Sequence, residues 1–150
     1  DLINNMSHWL YKNKILKEAP ENAFGFVYKI TNNIDGKMYI GRKYFEKKRR
    51  VKKKGQTRRK VIRKSSDWQT YTSSSKPLNE TISKLGKSKF KFEIIAFGYT
   101  KGQVNYLEEN IQHRLQVIFD DRYYNDCIGS RKWLSVKFDN KQKLQLLSQV

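Results

Sequence analysis

Two short runs rich in β-branched and aromatic residues, separated by a turn sequence, constrain the fold of this chain most strongly. The runs are FGFVYKIT at residues 24–31 and KMYIGR at 37–42, with NNIDG between them. Asn, Asp and Gly adopt the backbone angles that a tight turn requires, while β-branched and aromatic side chains favour strands. The segment therefore predicts a β-hairpin that carries one tyrosine on each strand, Tyr28 and Tyr39.

Five further segments have the patterns of regular elements. In chain order they are a peripheral helical segment at residues 1–20, a short helix at 76–86, a third strand at 89–98, a long helix at 100–119 and a final strand at 133–138. Pro77 suits the first turn of the short helix and Gly86 its end, while Thr100 with Gln103 matches a helix-capping box. These elements predict an α+β fold with a small central, mostly antiparallel three-stranded β-sheet flanked by helices.

The length of the chain predicts one main domain. A chain of 150 residues suits a single domain with a modest core, and we find no internal repeat. We divide it into a peripheral N-terminal helical segment at 1–23, a main domain at 24–138 with a basic insertion at about 46–66 after the first hairpin, and a tail at 139–150. The tail has the pattern of a short polar helix or a frayed end.

The balance of charge points to a polyanionic partner. Lys and Arg number 32 against 14 Asp and Glu, which gives a formal charge of +18. Nucleic acid is the first candidate and an anionic membrane surface the second. No apolar run approaches the ~20 residues of a membrane span, and no secretory segment is visible, so we expect a cytoplasmic protein. With one cysteine and two histidines, the expected metal is a hard ion held by carboxylate.

Residues 42–64 concentrate the positive charge, with fourteen Lys or Arg and one acid, Glu46. Such a run is often a solvated or disordered stretch. Interspersed apolar residues such as Phe45 and Ile62 suggest partial anchoring to the domain, so that the run can follow a phosphate backbone and become ordered on it. The candidate DNA contacts are Arg42, Lys43, Lys47, Lys48, Arg50, Lys52, Lys53, Lys54, Arg58, Arg59, Lys60, Arg63 and Lys64.

The long helix carries the best candidate for a metal-binding carboxylate. Its apolar stripe consists of Val104, Leu107, Ile111, Leu115 and Ile118. At about 100° per residue, Glu108 lies about 60° from the centre of that stripe and Glu109 about 160°. Most glutamates at such an edge extend to solvent or pair with a lysine. Glu108 is nevertheless the better ligand of the two, and a single carboxylate suits Mg²⁺, which keeps several waters and takes phosphate oxygens from its substrate.

With these elements in place, the motifs resemble those of the GIY-YIG nuclease superfamily. FVY at 26–28 and YIG at 39–41 are similar to its paired motif, with Tyr28 and Tyr39 eleven residues apart across a turn. YLEENIQHRL resembles the helix that bears the family's metal-binding glutamate, and YYND its downstream Gly-Tyr-Asn element. The resemblance covers roughly residues 24–130 and is greatest to freestanding phage-type enzymes, including relatives of homing endonucleases.

The resemblance implies a role for each matching residue. Tyr39 would orient or deprotonate the attacking water, with help from Tyr28 in positioning it. Because tyrosine has an ordinary pKa near 10, a nearby cation would have to assist. Glu108 would be the sole protein ligand of Mg²⁺ (or Mn²⁺). Asn125 would hold the architecture of the site or contact phosphate through its amide.

An arginine and a glycine complete the implied site. Arg49 lies eight residues after Gly41, at the offset of the arginine that the family carries on a helix after YIG, although Arg42 and Arg50 belong to the same run. Gly41 would let the backbone approach the substrate closely. The chain departs from the family at three places: Phe26 replaces the leading glycine, Ser73 stands at about the position where some members carry a histidine near the middle helix, and the insertion at 46–66 has no counterpart in minimal members.

The resemblance therefore implies a Mg²⁺-dependent DNA endonuclease of the phage-type homing, restriction-like or host-DNA-cleaving kind, in the cytoplasm or nucleoid of a host cell. The alternative is a non-catalytic basic nucleic-acid-binding protein on the same fold, since charge and exposed aromatic residues suit both. The expected partner is DNA and not a membrane. Cutting both strands or choosing a sequence would call for a transient homodimer or a specificity partner.

Overall fold

The computed structural model describes residues 6–132 and 140–149, which form a layered α+β fold. The strands are Leu10–Tyr11 (β1), Lys14–Ile15 (β2), Gly25–Asn32 (β3), Met38–Tyr44 (β4), Glu46–Val51 (β5), Lys60–Ser65 (β6), Phe90–Gly98 (β7), Cys127–Ile128 (β8) and Arg131–Lys132 (β9). The helices are Lys76–Leu85 (α1), Lys101–Leu115 (α2) and Asn140–Leu147 (α3). The final strand expected at 133–138 lies outside the described residues.

The central sheet has five strands in the order β2-β1-β7-β3-β4. Strand β3 pairs antiparallel with β4 and with β7, as the hairpin and third-strand predictions required. The predicted three-stranded sheet is wrong because β1 pairs parallel to β7 and brings β2 with it. The α+β class and the mostly antiparallel arrangement are confirmed.

The N-terminal segment contains strands, so the prediction of a helical segment is wrong over the described residues. Lys12 and Asn13 have positive φ angles of 49° and 65°, which form a tight turn between β1 and β2 and stop any helix there. Trp9 is fully buried, and its indole N–H donates to the carbonyl of Trp68 at 2.6 Å. The segment is therefore part of the core.

The two faces of the sheet have separate hydrophobic cores. On one face, Phe26, Tyr28 and Ile30 of β3 pack with Trp9 and with Leu78 of α1. On the other face, a cluster that includes Val27, Ile40 and Val117 receives partly buried residues of α2. Because side chains alternate along a strand, neighbouring residues of β3 and β4 point to different helices. This alternation decides which motif residues can meet.

The predicted helices are present with adjusted ends. Pro77 lies in the first turn of α1 and Gly86 ends it, as expected, while Ser75 supplies the N-cap. Thr100 caps α2 by accepting from the backbone N–H of Gln103. Helix α2 ends at Leu115 rather than at residue 119, because Gln116 takes a left-handed conformation at φ 52°. The tail contains α3. Among the helices of the described residues, none has the length and apolar character that crossing a bilayer would demand.

The apolar stripe predicted for α2 is rotated in the structure. Its buried residues are Val104, Glu108 and Gln112, four apart along the helix, whereas Leu115 is exposed. The stripe is therefore partly polar, and Glu108 lies within the buried face rather than at its edge. Long-range hydrogen bonds, which periodicity of apolar residues does not register, satisfy both polar side chains.

The basic run folds as a second antiparallel hairpin, made of β5 and β6. Strand β5 begins directly after the buried Phe45, which anchors the base of this hairpin in the core. Ser66 at the other end donates to the carbonyl of Tyr44 at 2.6 Å. The hairpin thus leaves the domain next to the end of β4, and nearly all of its side chains are exposed.

Candidate active site

The motif residues meet at a cavity of about 940 Å³ on the edge of the central sheet. Its lining includes Tyr28, Tyr39, Arg42 and Glu108. Strand β4 is the edge strand, and alternation along it turns Tyr39 toward α1 and Arg42 toward α2. The cavity thus spans the strand edge, with tyrosines on one side and the ion-paired carboxylate on the other.

Tyr28 and Tyr39 form a tilted ring pair with their centroids 6.2 Å apart. In the register of the hairpin Tyr28 lies opposite Gly41, and a Cβ at Gly41 would lie 2.5 Å from the Tyr28 hydroxyl oxygen. The glycine therefore makes room for the ring of Tyr28. Burial raises the pKa of Tyr39 to about 12 and that of Tyr28 well above its usual value. Both phenols are protonated at neutral pH.

Ser74 and Tyr71, neither of which the sequence patterns indicated, complete the tyrosine side of the cavity. Burial raises the pKa of Tyr39 and that of Tyr71, and a hydrogen bond with the Ser74 side chain lowers each of them in part. The ammonium of Lys43 lies 3.8 Å from the ring centroid of Tyr71 and 2.8 Å from the Asp67 carboxylate. Ser73, the predicted histidine replacement, is instead buried and donates to Asn79 at 3.3 Å.

Arg42 and Glu108 form the ion pair on the other side of the cavity. Nη1 of Arg42 lies 2.5 Å from Oε1 of Glu108, and only 4% of Glu108 is exposed. Burial raises the pKa of Glu108 above its usual value, although Arg42 opposes the shift. Burial lowers the pKa of Arg42, but the interactions with Glu108 and Tyr44 outweigh this effect, and the pKa is raised. We therefore expect a charged pair whose carboxylate is partly destabilised by its surroundings.

The Tyr44 hydroxyl links Arg42 on β4 to helix α2, which carries Glu108. Its hydroxyl accepts from Nε of Arg42 at 3.1 Å and donates to the side-chain oxygen of Asn105 on α2 at 2.5 Å. Asn105 and Glu108 lie one turn apart on α2, and Arg42 and Tyr44 are alternate residues of β4. The four side chains thus form a closed link that orients the guanidinium.

Asn125 acts on the backbone of the YIG motif. Its side-chain oxygen accepts from the backbone N–H of Ile40 at 3.0 Å, and its amide nitrogen donates to the carbonyl of Ile40 at 2.7 Å. Gln112 donates to the same carbonyl at 3.0 Å and accepts from the N–H of Gly129 at 2.7 Å. Of the two roles predicted for Asn125, its placement favours support of the site architecture over contact with phosphate.

The structure does not bring Arg49 into the cavity. Arg49 lies on the exposed strand β5, because this chain continues after YIG with a hairpin where the resemblance implied a helix. Arg42, directly after Gly41, occupies the position beside Glu108 instead. The alternation of side chains along a strand could have indicated this from the sequence. Arg42 lies on the same face of β4 as Ile40, and an apolar residue such as Ile40 is expected to pack against a helix.

The predicted DNA contacts fall into two groups. Arg42 and Lys43 are engaged in ion pairs at the cavity, and Lys47 and Lys48 line its mouth. The others lie on the exposed hairpin or on its connecting turn: Arg50, Lys52, Lys53, Lys54, Arg58, Arg59, Lys60, Arg63 and Lys64. The positive charge therefore extends from the cavity mouth outward.

Two acids line this cavity, the buried Glu108 and the exposed Glu46, and of these Glu108 is the one that could hold a divalent cation beside the tyrosines and Arg42. The described residues contain no group of three or more His, Cys, Asp or Glu side chains that could surround an ion. A single carboxylate fits Mg²⁺ or Mn²⁺, which take remaining ligands from water and from substrate phosphate. The donor set is thus compatible with the ion that the resemblance implies, provided that Arg42 shares the carboxylate.

One protein-family model matches most of the chain. The family described as "Putative endonuclease segE, GIY-YIG domain" matches residues 9–128, which include the two strands before the hairpin as well as all the cavity residues described above. No curated protein and no solved structure matches the chain significantly.

Proposed function

Since the chain belongs to the GIY-YIG nuclease superfamily, we propose that it is a DNA endonuclease that hydrolyses phosphodiester bonds with Mg²⁺ or Mn²⁺ on Glu108. The observation that supports this is the convergence of Tyr28, Tyr39, Arg42 and Glu108 on one cavity. Those residues come from three elements, and the cavity that they line holds a buried carboxylate, which binding to the phosphates of DNA does not by itself require.

In the proposed reaction, Arg42 and Glu108 handle the charge of the phosphate. Arg42 has a planar fork of donors that suits phosphate oxygens. When Arg42 turns toward a phosphate, the carboxylate of Glu108 becomes available to a cation. That cation would stabilise negative charge in the transition state and lower the pKa of a bound water.

Tyr39 positions the attacking water and Tyr28 supports its ring. A pKa of about 12 makes the neutral phenol dominant, so Tyr39 acts first as a hydrogen-bonding group. It becomes a base only when positive charge nearby lowers its pKa. Ser74 constrains the hydroxyl from the α1 side. Asn125 maintains the strand geometry on which Tyr39 depends, and Arg49 belongs to the DNA-binding hairpin rather than to the chemistry.

One observation favours the competing function of a non-catalytic nucleic-acid-binding protein. Glu108 is already paired with Arg42, which would suit a purely structural ion pair as well. The two functions differ in whether a divalent cation replaces Arg42 as the partner of the Glu108 carboxylate.

Plasmid cleavage with Mg²⁺ tests the proposal. Wild-type protein should convert supercoiled plasmid to nicked or linear products, and Glu108→Ala should do so at least about a hundredfold more slowly. Glu80→Gln, which removes an exposed acid on α1, is the matched control for net charge and should cut like wild type. If wild type and Glu108→Ala both bind DNA and neither cuts any substrate, the protein is a binder.

The basic hairpin supplies the proposed DNA affinity. Replacing Lys52, Lys53 and Lys54 by Gln should weaken binding and flatten the dependence of log K on log salt by about 0.9 for each phosphate that is no longer neutralised. Mg²⁺ binding at Glu108 should not change. An unchanged salt slope would contradict a role for these lysines. Sequencing the ends of products from a complex DNA pool would then distinguish a homing enzyme from one that degrades host DNA.

A further inference from the structure

A second cavity, of about 620 Å³, adjoins the candidate active site. It is formed between the N-terminal segment and the base of the basic hairpin, and its lining includes Lys17, Arg63 and Gln69. The two cavities share Phe24, Glu46 and Tyr99. A flexible polymer bound in the active site can therefore continue into the second cavity past these three residues.

One face of the basic hairpin contributes residues to both cavities, while Lys47 of the other face lines only the first. Directly opposite residues of an antiparallel pair lie on the same face, and the pairs Glu46–Ser65 and Lys48–Arg63 are of this kind. Lys48 lines the active-site cavity, whereas Arg63 lines the second one. The pair therefore stands at the junction of the cavities.

Lys48 and Arg63 are a pair that an anion would stabilise. Like charges directly opposite each other weaken a two-stranded sheet, and this hairpin has no covering layer. Within residues 6–132 and 140–149, neither side chain has an acidic partner within 4.0 Å. A phosphate between them would relieve the repulsion, although the carboxylates of Glu18 and Glu46, which also line the second cavity, oppose its binding.

Tyr99 offers a ring for a base at the same junction. It is 58% exposed, and its backbone N–H donates to the side chain of Gln103 at 2.9 Å, so the main chain is held while the ring is uncovered. Aromatic rings of this kind stack on bases regardless of sequence. A base can cover the ring only when it is not stacked inside a duplex.

We infer that the second cavity is a subsite for an unpaired nucleotide that flanks the cleaved bond, with its phosphates bound by Lys48 and Arg63 and its base stacked on Tyr99. The inference rests on the proposed nuclease function and specifies its substrate class. The preferred substrate is DNA with an unpaired nucleotide beside the cut rather than a continuous perfect duplex.

Fluorescence of 2-aminopurine tests the subsite without cleavage. The probes are two duplexes in EDTA, one with a single unpaired 2-aminopurine and one with the same base paired. Wild-type protein should bind the unpaired probe more tightly and quench it through stacking. Tyr99→Ala should lose the quenching and weaken binding at least about fivefold. Tyr106→Ala, which removes an exposed tyrosine on α2 that lines neither cavity, should resemble wild type.

A second matched pair separates the phosphate contacts from general charge. Arg63→Ala should weaken binding of the unpaired probe at least about threefold more than Lys64→Ala, since Lys64 lies on the opposite face of the hairpin. The subsite is wrong if the two tyrosine variants lose equal affinity for the unpaired probe and the Arg63 and Lys64 variants also lose equal affinity. It is also wrong if wild type binds the paired and unpaired probes equally well.

Plasmid cleavage by the same proteins distinguishes the two proposals. If wild type cuts and Tyr99→Ala binds and cuts equally well, the subsite is wrong and the nuclease function stands. If Tyr99→Ala loses the quenching while wild type cuts nothing, the second cavity binds an unpaired nucleotide without cleavage, and the nuclease function is wrong. All four substituted residues are exposed, and thermal unfolding should show that each variant folds like wild type.

Discussion

Nη1 of Arg42 lies 2.5 Å from Oε1 of Glu108 and joins the edge strand β4 to helix α2 across 66 positions of sequence. The two side chains differ in exposure, at 27% for Arg42 and 5% for Glu108. An unpaired Arg42 could reach solvent, whereas an unpaired Glu108 could not. Removing Arg42, which leaves a buried carboxylate unpaired, should therefore destabilise the protein more than removing Glu108.

Arg42→Met should destabilise the protein at pH 8 by about 2 kcal/mol, and by clearly less at pH 5. The pKa of Glu108 is already above its unfolded value, and loss of Arg42 raises it further. The native state then holds a proton that the unfolded state has released, so stability falls as pH rises through this interval. Glu108→Gln should lack this pH dependence. Urea unfolding in EDTA measures both, and an equal loss at the two pH values would contradict the argument.

Tyr39→Phe should lower the cleavage rate at least about a hundredfold while changing the free energy of unfolding by no more than about 1 kcal/mol. The variant loses only a hydroxyl whose described partner is Ser74. Because the pKa of Tyr39 is about 12, the rate contributed by its ionised form should rise with pH across the neutral range. Rate–pH profiles should be flatter for Tyr39→Phe than for Tyr106→Phe, an exposed control. A profile with the wild-type slope would exclude Tyr39 as the base.

Gly41→Ala should disrupt both stability and cleavage. The new Cβ would lie 2.5 Å from the hydroxyl oxygen of Tyr28 and 2.9 Å from Cε1 of Tyr39, and Tyr28 is buried against the rings of Trp9 and Phe26. We expect a loss of about 2 kcal/mol and at least about a hundredfold lower cleavage. Gly102→Ala is the control, because its nearest contact would be 3.9 Å away and alanine favours helix by up to about 1 kcal/mol. Thermal unfolding of the two variants should shift in opposite directions.

Asn125→Ala should destabilise the protein by about 2 kcal/mol, since it leaves the N–H of Ile40 buried without its acceptor. The variant should also cleave more slowly, while its affinity for DNA stays near wild type. Asn33→Ala in the exposed hairpin turn is the control. Loss of DNA affinity with unchanged stability would mean that the amide contacts phosphate instead.

His8 should make the protein less stable in mild acid. Its ring stacks on Phe92 with centroids 3.9 Å apart, and burial together with Lys87 lowers its pKa from 6.5 to about 4. The unfolded state therefore binds a proton that the native state refuses, and stability falls as pH drops from 6.5 toward 4. After discounting for partial solvent access, wild type should lose about 1 kcal/mol more than His8→Gln between pH 7 and pH 5. His113→Gln should behave like wild type in the same urea titrations.

Local patterns predicted the elements whose formation depends on neighbouring residues. The hairpin of β3 and β4, strand β7 and the caps of α1 and α2 all follow from turn chemistry, propensity and spacing within about twenty residues. The N-terminal strands were missed because each has only two residues, and the pairing that joins them to the central sheet is with β7, some eighty residues later. The same limit applies to Gln112, whose burial follows from a hydrogen bond to Ile40 across 72 positions.

The sequence by itself determined the motif, the two tyrosines, the glutamate on the long helix and the concentration of charge after YIG. Only the tertiary structure decided which arginine faces the glutamate, which serine meets Tyr39 and which face of the basic hairpin adjoins the cavities. The physical reason is that residue type and periodicity encode local conformation and burial. The pairing of Arg42 with Glu108 depends instead on tertiary contacts. Strand β4 lies at the edge of the sheet, helix α2 packs against it, and the alternation of side chains along β4 turns Arg42 toward α2.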